Sequence, residues 1–184
     1  MHRGHNSPKV RFMDPSFVSL GAALILTAGL SALAWIDFKT GYLPDVLQIA
    51  LAICALIVIA LGSPVGIGWT TAIIGACVNS AVFWLLRWVM TAAKGREAMG
   101  LGDVKLVAVG GLWLGPWALP YIMALAGLST LLCVGAAAVI LRRPTWRGEI
   151  PLGPGLALGI LAAYAAALAG MTSVVDPMRG LETL

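Results

Sequence analysis

The sequence predicts an all-α membrane protein, a bundle of six transmembrane helices with both termini outside the cytoplasm. Composition is the first reason. Hydrophobic residues make up 60% of the 184-residue chain and charged residues 11%, with a mean hydropathy of +0.93, well above what a soluble domain of this size carries. Pattern is the second: the apolar residues gather in long, unalternating runs, unlike the dyad repeat of barrel strands. The third is punctuation, since the runs are close to the ~20 residues that cross a bilayer and are separated by short glycine, proline and charged breaks.

Taken in order, helices are expected at roughly Phe17–Ile36, Val46–Leu61, Gly68–Met90, Asp103–Leu114, Trp117–Leu141 and Gly153–Val175. They form one domain over residues 17–175, between a polar tail at 1–16 and a short tail at 176–184. The first run is longer than a signal-peptide core and ends in Asp37 rather than a small-residue cleavage site, so it is expected to stay. Gly41 and Pro44 close helix 1, Gly62-Ser63-Pro64 closes helix 2, Gly115-Pro116 closes helix 4, and Pro144 to Pro154 precedes helix 6. Small residues four apart, Gly62/Gly66, Gly111/Gly115 and Gly155/Gly159, suit close helix approach. Trp69, Trp117 and Trp146 fall near helix ends at headgroup depth; Trp84 and Trp88, one turn apart, read as anchors or core.

Orientation follows from basic residues. The 1–2, 3–4 and 5–6 connections and adjoining helix ends carry Lys39, then Arg87, Lys94, Arg96 and Lys105, then Arg142, Arg143 and Arg147, while the 2–3 and 4–5 connections carry none. The first set is therefore expected on the cytoplasmic side. Arg3, Lys9 and Arg11 in the N-terminal tail run against this, and a start at Met13 would remove the conflict.

Most reactive residue types have ordinary explanations. Cys54, Cys77 and Cys133 each lie inside an apolar run, without a paired cysteine or nearby histidine, and read as small buried hydrophobes. His2 and His5 sit in the polar tail, so ligands for a metalloprotease are lacking and no metal is expected. Of the eight acids, Asp14, Asp176 and Glu182 belong to terminal segments and Glu97 and Glu149 to basic loops. Asp37, Asp45 and Asp103 remain, at membrane helix edges where an acid costs a few kcal/mol unless it meets water, a partner or a function.

The connectivity puts these three on one side of the membrane, so Asp37 and Asp103 can meet. Two adjacent carboxylates cannot both ionise comfortably and share a proton, which is the working state of an aspartyl protease. Asp103 follows Gly100-Leu101-Gly102, where two glycines allow tight turns and leave bare backbone for an extended substrate strand. An aspartate capping helix 4 explains the same tetrapeptide equally well, and Asp37 reads also as an interfacial acid beside Lys39. Asp45, directly after Pro44, fits a cap or a supporting group.

Three ordered segments resemble the type IV prepilin peptidases: Trp35-Ile36-Asp37-Phe38-Lys39-Thr40-Gly41-Tyr42-Leu43-Pro44-Asp45, then Met99-Gly100-Leu101-Gly102-Asp103-Val104-Lys105-Leu106, then Ile150-Pro151-Leu152-Gly153-Pro154-Gly155-Leu156-Ala157. The resemblance implies a membrane aspartyl endopeptidase of the bacterial inner membrane. Such an enzyme removes the basic leader of type IV prepilins or pseudopilins after a glycine, at the cytoplasmic face. Asp37 and Asp103 match the family's catalytic pair, and Gly100, Gly102, Asp45, Lys39, Lys105, Pro151, Gly153 and Pro154 match motif positions of supporting roles. Expected partners are the prepilin leader with its adjoining apolar helix and the lipid bilayer, without nucleic acid and without a cofactor. Bifunctional members carry an additional cytoplasmic region with paired CxxC zinc motifs and also N-methylate the product; no such motif is present here, which implies the shorter, peptidase-only kind that serves tight-adherence pili or archaeal preflagellins. Two rival readings are an ion- or proton-coupled transporter, with short glycine-interrupted helix 4 binding a cation, and a noncatalytic subunit of a pilus or secretion machine.

Overall fold

The computed structural model describes residues 15–94, 99–141, 152–171 and 174–176. Among these residues there are six α-helices and one short 3-10 turn: α1 Pro15–Thr40, α2 Asp45–Ala60, α3 Trp69–Lys94, α4 Leu101–Leu114, the turn Pro116–Ala118, α5 Leu119–Leu141 and α6 Gly153–Leu168. Long and short helices alternate. Helices α1, α3 and α5 have 26, 26 and 23 residues, while α2, α4 and α6 have 16, 14 and 16. Among the described residues, three helices are by length and composition suited to crossing a membrane: Ser16–Thr40, Trp69–Ala93 and Pro116–Cys133.

Several boundaries differ from the sequence reading for identifiable reasons. Helix α1 runs on through Phe38-Lys39-Thr40, because these residues do not break a helix. It stops where Gly41 takes a positive φ of 65°. Asp37 therefore lies inside α1, close to its last turn. Helix α4 opens at Leu101, so Asp103 belongs to its first turn; Gly100 occupies the cap position and no side-chain cap bond forms. Helix α6 ends at Leu168 rather than Val175, since Gly170 turns left-handed at φ 88° and its N–H goes back to the Ala167 carbonyl. Gly62 and Gly66 are not a packing pair: both lie in the α2–α3 connection with positive φ. Asp45 is the first residue of α2 after Pro44, but its carboxylate makes no cap bond.

Helix α4 is the centre of the bundle and packs against α2, α3 and α6. Val104, Leu106, Val107, Val109, Trp113 and Leu114 are all buried, and the Trp113 indole N–H donates to the Leu51 carbonyl of α2 at 3.1 Å. Its closest approach is to α3, where the backbones of Gly75 and Gly111 touch: a Cβ on Gly75 would lie 2.5 Å from the Gly111 oxygen. Gly155 and Gly159 of α6 do the same against Ala126 and Ile122 of α5. In an apolar solvent such contacts, rather than burial from water, hold helices together.

The outer surface is the inverse of a soluble protein. Phe17, Leu24, Ile53, Trp84, Trp88 and Leu131 all point outward, as lipid contact requires. Trp69 at the start of α3 and Trp117 in the short turn are half exposed, in keeping with interfacial anchors. Trp146 lies outside the described residues. The cysteines are less buried than expected: Cys54 is intermediate, and Cys77 and Cys133 face outward among the apolar side chains.

Candidate active site

One end of the bundle encloses a cavity of about 470 Å3 lined by both Asp37, from α1, and Asp103, from α4. The remaining wall is Gly41, Tyr42, Leu43 and Asp45 from the α1–α2 turn, Met90 from α3, Met99 to Gly102 and Lys105 around the start of α4, and Leu152 ahead of α6. All three short helices thus present their N-terminal ends to one space. Unpaired backbone N–H groups and the positive end of the helix dipole gather there, an environment that receives anionic side chains well.

Asp37 is the more enclosed carboxylate, with only 6% of its surface exposed. Its Oδ2 has no hydrogen-bond partner in the protein. A side chain at Gly153, the first residue of α6, would overlap Asp37 Oδ2. Asp103 faces the same cavity from the first turn of α4.

The motif residues divide by what they touch. Gly102 packs its bare Cα on Leu43, where a Cβ would come within 2.9 Å of the leucine Cβ. At Gly100, with φ −67°, a Cβ would make only ordinary contacts, with the Gly102 nitrogen at 3.8 Å and Asp103 Oδ2 at 3.9 Å. Neither has a positive φ, so tight turning is not the reason for the two glycines; close approach at Gly102 is. Lys105 donates to both Asp45 oxygens, at 2.8 and 2.7 Å, across the cavity rim. Lys39 is not brought to the cavity but lies over the Trp35 ring, 4.4 Å from its centroid. Pro154 is in the first turn of α6, and Pro151 lies outside the described residues.

One residue escaped the sequence reading. Arg87 of α3, counted there only as a topological charge, donates from Nη1 to the Met99 carbonyl at 2.7 Å. Spacing along α3 puts Gly75, Asn79, Phe83 and Arg87 on one helix face, but it does not announce the contact with Met99.

Chemically, the pair offers two carboxylate groups on the wall of one cavity. Residues 24–135, more than half of the chain, match the type IV leader peptidase family. The chain belongs to this family. Among its relatives are prepilin leader peptidase/N-methyltransferases of Aeromonas hydrophila, 40% identical over 137 residues, Burkholderia pseudomallei strain K96243, 37% identical over 151 residues, and Neisseria gonorrhoeae, 37% identical over 141 residues. These matches cover 74%, 79% and 77% of this chain, and 46% of each relative. The chain therefore spans about half the length of the curated relatives it matches. No solved structure matches it. The residues matched to the type IV leader peptidase family include Asp37, Asp45 and Asp103 and stop short of Gly153.

Proposed function

We propose that this chain is a membrane aspartyl endopeptidase that removes the leader of a type IV prepilin or pilin-like protein after a glycine, with Asp37 and Asp103 as the catalytic pair. The observation that carries the reading is that two acids from helices distant in sequence line one cavity ringed by three helix N-termini, in a chain of the leader peptidase family. One ionised carboxylate takes a proton from water as the oxygen attacks the scissile carbonyl. The protonated partner hydrogen-bonds the carbonyl oxygen, and the tetrahedral intermediate collapses as a proton passes to the leaving amine. The helix N-termini favour the negative charge that builds on that oxygen. Neither carboxylate is consumed and no covalent enzyme intermediate forms.

The same reading places the six helices across the inner membrane, with the cavity on the cytoplasmic side where an unprocessed leader lies. It covers hydrolysis alone, without methyl transfer. The test is cleavage of a prepilin by purified protein in lipid, followed by mass analysis of the new N-terminus. Cleavage that resists a metal chelator, needs no S-adenosylmethionine and leaves the terminus unmethylated is expected. Loss of cleavage to chelator with recovery on adding zinc would overturn the two-carboxylate mechanism; undiminished cleavage after both aspartates are replaced would overturn the assignment of the pair.

A further inference from the structure

Asp103 stands in the first turn of a helix whose preceding residues, Met99 and Gly100, form cavity wall without regular structure of their own. Something must fix where this segment enters α4. The segment is met at Gly102 by Leu43 of the α1–α2 turn and at Lys105 by Asp45 at the start of α2. The Asp45–Lys105 pair is about half exposed on both sides, and such pairs restrain little. On the α3 side the contact is of another kind. Arg87 donates to the Met99 carbonyl at 2.7 Å from a part-buried position, outside the cavity lining. A charge-assisted bond in such surroundings is short, directional and costly to lose.

The α3 face that carries Arg87 is itself held rigidly. Four residues apart, Gly75 meets Gly111 backbone to backbone, Asn79 is fully buried, and Phe83 is 2% exposed. The guanidinium therefore projects from a fixed support at the next position of the same stripe. We infer that Arg87 is a positioning residue for the aspartate pair: by clamping the Met99 carbonyl, it sets the entry of Gly100–Gly102 into α4 and so the distance from Asp103 to Asp37. This inference rests on the proposed role of the two aspartates, but its geometric core stands apart from activity.

The experiment uses both levels. In full-length protein in native membranes, with the three native cysteines replaced, Asp37→Cys and Asp103→Cys are combined, and the rate of oxidative cross-linking is measured with Arg87, Arg87→Lys or Arg87→Met. Cross-linking is expected to slow at least about fivefold in Arg87→Met and to be largely restored by Arg87→Lys, since a shift of about 1 Å suffices to upset such geometry. In the enzyme with both aspartates intact, Arg87→Met should lower kcat for prepilin cleavage about tenfold to a hundredfold with KM little changed, as misplacement rather than lost binding requires. Should Arg87→Met fail to accumulate, Arg87→Gln and Arg87→Lys supply the comparison. Cross-linking within about twofold of the Arg87 protein in the uncharged variants would overturn the inference whatever the activity does. Absence of peptidase activity in the unsubstituted enzyme, with cross-linking still dependent on Arg87, would instead sink the functional reading and leave the clamp standing.

Discussion

At the scale of single residues, the proposed mechanism makes the two aspartates one unit, so Asp37→Asn and Asp103→Asn should each lower cleavage at least about a hundredfold while insertion and abundance stay near normal. Asp45→Asn should retain substantial activity, because its carboxylate is occupied by Lys105 at the rim; equal loss at all three positions, measured on equal amounts of membrane-inserted protein, would mean that the pair is drawn too narrowly. Gly153→Ala gives a subtler test. A methyl group there meets the Asp37 carboxylate itself, so cleavage should fall with little loss of protein, whereas Gly100→Ala, whose Cβ meets nothing closer than 3.8 Å, should be tolerated. The meeting of Asp37 and Asp103 at one cavity was legible in the sequence because acids are rare at apolar helix edges and two motifs frame them. Arg87 was not, since its role depends on a meeting of α3 with the Met99 carbonyl that neither segment announces, and a basic residue near a helix end already has a sufficient explanation in topology.

At the scale of elements, the α3–α4 contact is the least forgiving. A Cβ on Gly111 would run into the Gly75 carbonyl and the Ala76 nitrogen, both backbone, so only a shift of one helix can make room. Gly111→Ala should destabilise the protein by about 1–3 kcal/mol, seen as a lower midpoint in a detergent unfolding titration. Gly21→Ala in α1, where nothing lies within 4 Å, should leave the midpoint in place. Helix existence could be read from hydropathy, since each apolar run became a helix. Ends were harder. Polar residues after Asp37 did not stop α1, because Thr40 satisfies its hydroxyl on the Ile36 carbonyl at 2.8 Å and Gly41 provides the break; at the other end of the chain Gly170 stopped α6 within an apolar run. Of the three glycine pairs marked for packing, Gly155/Gly159 met α5 and Gly111/Gly115 met α3 as pairs, while Gly62/Gly66 serve turns, which spacing alone does not distinguish.

At the scale of the whole molecule, a shared site requires the α1–α2 and α3–α4 connections to lie on one side of the membrane and the uncharged connections on the other. With native cysteines replaced, single cysteines at Thr40 and Lys94 should be protected from a membrane-impermeant thiol reagent in intact cells, and one at Ser63 should react. Labelling of Thr40 but not Lys94 would put the two aspartates in opposite leaflets and end the proposal. The charge count behind this expectation draws partly on Arg96, Arg142, Arg143 and Arg147, which lie outside the described residues, so labelling is the direct measurement.

The alternation of helix lengths has a consequence for the lipid. At 1.5 Å per residue, α2 and α6 are about 24 Å long and α4 about 21 Å, against a hydrocarbon core of about 30 Å. All three begin at the cavity. On the proposed six-span arrangement, the bilayer has to thin around the catalytic end, drawing headgroups and water toward bonds that would otherwise sit in hydrocarbon. Substrate hydrolysis by the reconstituted protein should then be fastest in short-chain phosphatidylcholine and slow as the acyl chains lengthen, so that the thickness of the membrane acts as a regulator of the enzyme within it.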